Sequence, residues 1–96
     1  MFEKGKNVFV KTYSHYYLGK IYEWIEDKYL VLEFVSEIYR TGRLKTFFET
    51  GEPERWNNVP GDVKLTIPIM GNGVVVYDWN NALLLEPDED EISTFE

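Results

Sequence analysis

The chain contains no cysteine and a single histidine, His15. The first absence excludes a disulfide framework and cysteine-based zinc sites, and it fits a reducing compartment. The second leaves a typical zinc site to carboxylates alone. The acidic run Asp88–Glu91 lacks the spaced ligands and the glycine of a calcium loop, so neither a metal nor another cofactor is expected. Nowhere is there a run near the ~20 apolar residues of a membrane helix. The opening MFEKGKNVFV has no long apolar stretch and no small-residue cleavage site. A soluble protein without a membrane partner is expected, in the cytoplasm, or in a host cell or virion if the chain is viral. No glycine-rich loop precedes a helix: the turn at Gly71–Gly73 leads into a strand, and so cannot offer a helix N-terminus to phosphate.

What is present is apolar and aromatic. In 96 residues, 44% are hydrophobic and 17% aromatic, enough for one packed domain and no second. The net charge of −7 is uneven. Residues 1–86 carry 12 acids against 10 bases, while 87–96 carry five acids and no base. The expected organisation is one small β-barrel domain over 1–86 and an acidic, disordered tail over 87–96. That tail is either merely solvated, or it covers a basic face or engages a partner.

Short runs of Val, Ile, Tyr, Phe and Trp recur between turn residues, the pattern of a mainly β domain. NVFVKTY (7–13) alternates Val8, Val10 and Thr12 against Phe9, Lys11 and Tyr13. YYLGKIYEWI (16–25) and YLVLEFVSEIY (29–39) read as a long hairpin turning at Glu26–Lys28. In the second of these strands Leu30, Leu32 and Phe34 would share one face, with Val31, Glu33 and Val35 on the other. Gly19 inside a strand marks a bulge or bend. Between residues 40 and 51 the pattern predicts a short helix capped by Thr41 and stopped by Gly51, whose Leu44 and Phe48 would plug a barrel end. Residues 52–62 read as a loop. VKLTIPI (63–69) alternates Val63, Leu65, Ile67 and Ile69 inward, with Pro68 at an edge. VVVYDW (74–79) is the closing strand, which ALLLE (82–86) would extend. Five strands with one helix between the third and fourth describe a small SH3-like or Sm-like barrel, with an OB-fold as competitor.

The run VFVKTYS, then YLGKI, then LVLEFVSEIY leading into GRLKTFFETG resembles a family of small phage-encoded proteins of unknown function. The shared pattern is V-[FI]-V-[RK]-T-Y-S, a glycine, and a strand running into an aromatic-rich helical segment before another glycine. Here the matching positions are Val8 to Ser14, Gly19, Leu44 and Gly51, within residues 7–51. The resemblance implies a viral origin and brings no catalytic residue.

TYSHYYLGKI, Thr12 to Ile21, has the densest chemistry in the chain. A serine nucleophile needs a base within hydrogen-bond reach and a third group to orient it. Adjacent residues on an extended strand face opposite ways, so Ser14 and His15 do not supply that by position alone. Ser14 is expected to bond its own backbone in a bend, and no catalytic residue is expected. Lys11, Tyr13, His15, Tyr16, Lys20, Tyr22 and Trp24 interleave cations and rings, as surfaces that stack single-stranded nucleic acid do. Against that stands the overall negative charge. Seven tyrosines and three tryptophans exceed what a small core hides, and such rings favour interfaces. The first reading is therefore a non-enzymatic interaction module that pairs with itself or another protein, with Val75, Tyr77 and Trp79 on an edge strand. The alternative is a nucleic-acid-binding barrel masked by its tail.

Overall fold

The computed structural model describes residues 3–70 and 73–84. The expected tail 87–96, the end of ALLLE and most of the Gly71–Gly73 turn lie outside the described residues.

Six strands and one helix follow in the order β1 (Asn7–Lys11), β2 (Tyr16–Ile25), β3 (Tyr29–Arg40), α1 (Leu44–Thr50), β4 (Arg55–Asn58), β5 (Leu65–Pro68) and β6 (Val75–Asp78). They form one antiparallel sheet along the path β4-β3-β2-β1-β6. β5 also joins β3, at Tyr29–Leu32, while β4 takes the other end at Ser36–Arg40. Mainly β with one short helix after the third strand is what the composition implies. The expectation of five strands closing into a barrel is corrected: there are six, and among the described residues no ladder joins β6 to β4 or β5. β4 lies in the segment that reads as a loop. RWNN is four residues long and polar at three of them, and prolines 53 and 60 flank it. Alternation has too little length there to register.

β1 is buried on both sides, because Val8 and Val10 face one core while Phe9 faces another. The first core is aliphatic and gathers Ile21, Leu30, Leu32, Val35 and Ile67. The second is aromatic: Phe9, Leu18 and Ile38 from the sheet meet Phe47 of α1 and Trp79 beyond β6. Each fully buried side chain of this size contributes about 1.5–3 kcal/mol.

The register of β2 on β3 slips twice. Leu18 pairs with Ser36 and Lys20 with Glu33, so Gly19 stands opposite two residues, Phe34 and Val35. Phe34 takes a left-handed φ of 54°. The extra residue therefore sits in β3, across from the glycine. A Cβ on Gly19 would lie 3.1 Å from Leu32 Cβ and 3.3 Å from the Glu33 carbonyl oxygen, a tight fit, so close strand approach favours glycine there. The second slip, at Tyr22, restores the register. One inserted residue moves every later side chain to the opposite face. That corrects the expected parity of β3: Val35 joins Leu30 and Leu32 in the core, and Phe34 is 47% exposed.

The hairpin turn closes with Lys28 N–H donating to Ile25 O at 2.8 Å, with positive φ at both Glu26 and Asp27, the signature of a type I′ turn. α1 begins after Arg43, whose side chain makes no capping bond, and Thr41 Oγ1 donates to Gly42 O instead of capping it. Gly51 ends the helix in the left-handed conformation, φ 77°, its N–H donating to Phe47 O. The buried ring of α1 is Phe47, while Leu44 is 51% exposed. A seven-residue helix has two turns, and the two adjacent phenylalanines, rather than an i, i+4 pair, set its docking face. Val63 also proves exposed, two residues before β5 begins.

Candidate functional site

The β1–β2 connection is held by side chains. Thr12 N–H and Thr12 Oγ1–H both donate to His15 O, at 2.8 and 3.0 Å, and His15 N–H donates back to Thr12 Oγ1 at 3.0 Å. Thr12 thus performs the backbone-bonding role expected of Ser14. Ser14 is left to meet the histidine: its Oγ lies 2.7 Å from His15 Nδ1. The other ring nitrogen, Nε2, faces Glu37 Oε2 at 3.8 Å. Glu37 Oε1 accepts from Tyr39 O–H at 2.9 Å, and Asn57 Nδ2 donates to Tyr39 Oη at 3.3 Å. A line of polar side chains therefore runs from the β1–β2 turn across β3 to β4. The turn, and not strand geometry, brings Ser14 and His15 together.

The imidazole stacks on the Tyr17 ring, with centroids 6.0 Å apart and planes 18° from parallel. Tyr17 pairs with Glu37 across β2–β3. Burial pushes the Tyr17 hydroxyl pKa above its ordinary value of 10.0, and the Glu37 carboxylate pushes it further the same way. Beside this line lies a groove of about 330 Å³ lined by Thr12, Tyr13, Ser14, Tyr17, Leu65–Pro68 and Val74. Its walls are largely aliphatic and aromatic, and Ser14 is on its rim.

The remaining residues singled out in the sequence fall in three places. Tyr13, 94% exposed, tops the turn, and Lys11 ends β1 exposed, in register with Val75. Tyr16 stacks on Phe9 at 5.7 Å within the aromatic core, and Trp24 packs against the aliphatic one. Lys20 and Tyr22 lie together on the open part of the sheet. There Lys20 Nζ stands 5.7 Å from the Phe34 ring centre and Lys64 Nζ 4.5 Å from that of Tyr22, close enough for cation–π attraction. Sequence reasoning omits Phe34 and Lys64 from this surface, because the bulge that turns Phe34 outward has no local signal beyond Gly19 across the ladder. It also omits Glu37, Tyr39 and Asn57, whose roles depend on which strands are neighbours.

On the edge strand, Val75 and Tyr77 are exposed. Trp79 is 5% exposed, and its Nε1–H donates to Ala82 O at 3.1 Å, so it belongs to the core instead of an interface. Among the described residues no group of three or more His, Cys, Asp or Glu is placed to hold a metal ion, and no helix is long and apolar enough to cross a membrane. Comparison of the chain with family models, with curated proteins and with solved structures finds no match.

Proposed function

We propose that this chain is a non-enzymatic interaction module with an SH3-like or Sm-like strand plan, of viral origin, which associates with itself through β6. The OB plan remains the rival description of the fold, since it too places a helix after the third strand. The observation that supports self-association is the state of β6. Its inner edge pairs with β1, and among the described residues no strand pairs with its outer edge. Val75 stands exposed on the face of that strand, and Tyr77 is part-exposed with its ring on Phe9 and Phe48. Natural edge strands are usually blunted by lysine, proline or a bulge, and Val75–Asp78 contains neither lysine nor proline. Two copies related by a two-fold axis can pair these edges antiparallel, continuing the sheet from one protomer into the next. Such an assembly works in the host cytoplasm or in the virion.

Light scattering on an eluting size-exclusion peak tests this. The wild-type chain should run at a multiple of 11.4 kDa, and Val75→Lys, which leaves the Tyr77 ring in place on Phe9 and Phe48, should return it to one copy without unfolding. A wild-type protein that stays monomeric at high concentration would sink the reading.

The second reading, single-stranded nucleic-acid binding, draws support from the Lys20–Phe34 and Lys64–Tyr22 pairs, which set cations and rings side by side on an open surface. In that reading the acidic residues 87–96 cover the surface until nucleic acid displaces them. Binding of a mixed-sequence oligonucleotide that weakens steeply with salt, and strengthens on removing residues 87–96, is its expected mark.

A further inference from the structure

The geometry points to Ser14 as an activated nucleophile that accepts a short acyl group, from a thioester or an aryl ester, within the groove that it lines. Serine hydroxyls are poor nucleophiles until a base within hydrogen-bond reach takes the proton. His15 Nδ1 stands 2.7 Å from Ser14 Oγ. Which nitrogen of a neutral imidazole holds the proton is set by what each one faces. Here Nε2 stands 3.8 Å from Glu37 Oε2, too far for a hydrogen bond but near enough for the carboxylate to favour an N–H on that side and leave the Nδ1 lone pair to the serine. Glu37 is in turn held by Tyr39, and the ring is braced against Tyr17. Base, orienting group and an adjoining apolar cavity are three parts of an acyl-transfer site. The walls formed by Tyr17, Leu65, Ile67 and Val74 suit a short hydrocarbon acyl chain.

In the step, Ser14 Oγ attacks the acyl carbon as its proton passes to His15 Nδ1. The Oγ–C bond forms and the bond from the acyl carbon to sulfur, or to the aryl oxygen, breaks. The leaving thiolate or phenolate takes the proton back from His15. The products are a Ser14 ester and a free thiol or phenol, with no change in oxidation state. The transfer is a single event per chain, a modification instead of a turnover, and so goes beyond the interaction reading without opposing it.

The test is to incubate the full chain with p-nitrophenyl acetate, and separately with the acetyl thioester of N-acetylcysteamine, then map the acetylated residue by peptide mass spectrometry over time. Ser14 should be acetylated on the order of 100-fold faster in the wild type than in His15→Ala, the lower range for a positioned general base. Free imidazole should restore part of the rate to His15→Ala. Acetyl groups confined to lysines, or equal Ser14 rates in wild type and His15→Ala, would overturn the proposal. If His15→Ala misfolds by circular dichroism, His15→Gln serves in its place, with the same expectation. Glu37 is a positioning residue, and its readout is the ¹⁵N spectrum of the His15 ring: Glu37→Gln should reduce the share of the Nε2–H tautomer. An unchanged tautomer ratio would remove Glu37 from the mechanism.

Discussion

On one face of the sheet Val8, Val10, Ile21, Leu30, Leu32, Val35 and Ile67 pack as aliphatic side chains. On the other, Phe9, Phe47 and Trp79 pack as rings with centroids 4.9–6.0 Å apart. The aliphatic core draws all its buried members from strands. The aromatic core needs a lid: α1 supplies Phe47, and the chain after β6 supplies Trp79 with Leu83 and Leu84. Ser36, the buried polar residue of the core, ties that lid down, its hydroxyl proton shared between Asn58 Oδ1 at 2.8 Å and Leu84 O at 3.0 Å. The lid covers only part of its face. Beyond it Lys20, Phe34, Tyr22 and Lys64 are left open. One face is finished by the sheet itself, and the other is covered, among the described residues, at one end only.

Removing the lid's anchor should give the largest effect. Phe47 is wholly buried and contacts both Phe9 and Trp79. Phe47→Ala should cost about 3–5 kcal/mol, a large share of the roughly 5–15 kcal/mol that holds a domain folded. A seven-residue helix has little stability of its own, so α1 should undock with it. Hydrogen exchange would show amides of α1 and residues 79–84 losing protection first, while β1, β2 and β3 stay protected. Uniform loss across both faces would mean the two cores are one cooperative unit and that the contrast drawn between them fails.

Gly51→Ala attacks the same lid from its hinge. The position has φ 77°, and a Cβ there would lie 2.9 Å from Asn81 Cβ. The left-handed conformation alone costs a residue with a Cβ roughly 1–2 kcal/mol, and the contact adds to it. Denaturant melts should show a loss of about 2 kcal/mol. Asn81→Gly, introduced into Gly51→Ala, should recover less than the steric part, because it leaves φ unchanged and also removes the bond from Asn81 Nδ2 to Phe48 O.

How far these features can be read from the chain depends on whether they are local. β2 is legible to the residue, and so are the helix position and its glycine stop, because alternation and a left-handed cap are properties of a few neighbouring residues. Phe34 is misplaced by the same rule that places Leu30 and Leu32, since a strict period of two cannot know that one residue has been inserted opposite Gly19. β4 is hidden because RWNN becomes a strand through pairing with β3 and not through its own pattern. The Ser14–His15–Glu37 line spans a turn and a neighbouring strand, so only the turn half is visible in TYSHYY. Trp79 reads as edge-strand surface until the chain after it folds back to Ala82 and covers it.

Phe34→Gly probes the open end of the aromatic face, with a smaller effect of opposite sign. A bulky residue at φ 54° is strained by about 1 kcal/mol or more, and glycine takes that conformation freely. Part of the gain is offset by losing a half-exposed ring and its contact with Lys20. Thermal melts should show a protein unchanged or up to about 1 kcal/mol more stable. A clear destabilisation would mean that Phe34 packs as a core residue and that the open surface is smaller than drawn.

The smallest effect belongs to Tyr17, which packs against the aliphatic core while meeting the polar line. Its hydroxyl loses a proton less readily when folded, through burial first and the Glu37 carboxylate second. A raised folded pKa means the unfolded chain releases this proton at lower pH. The stability tied to the neutral phenol is therefore complete below pH 10.0, the ordinary value, and is lost as pH climbs from there through the raised folded value. Tyr17→Phe has no such proton, so its alkaline stability curve should be flatter than that of the wild type across that window. Glu37→Gln should flatten it by the lesser share that the carboxylate contributes. If both variants fall with pH as the wild type does, neither burial nor the Glu37 carboxylate holds the Tyr17 proton in the folded chain.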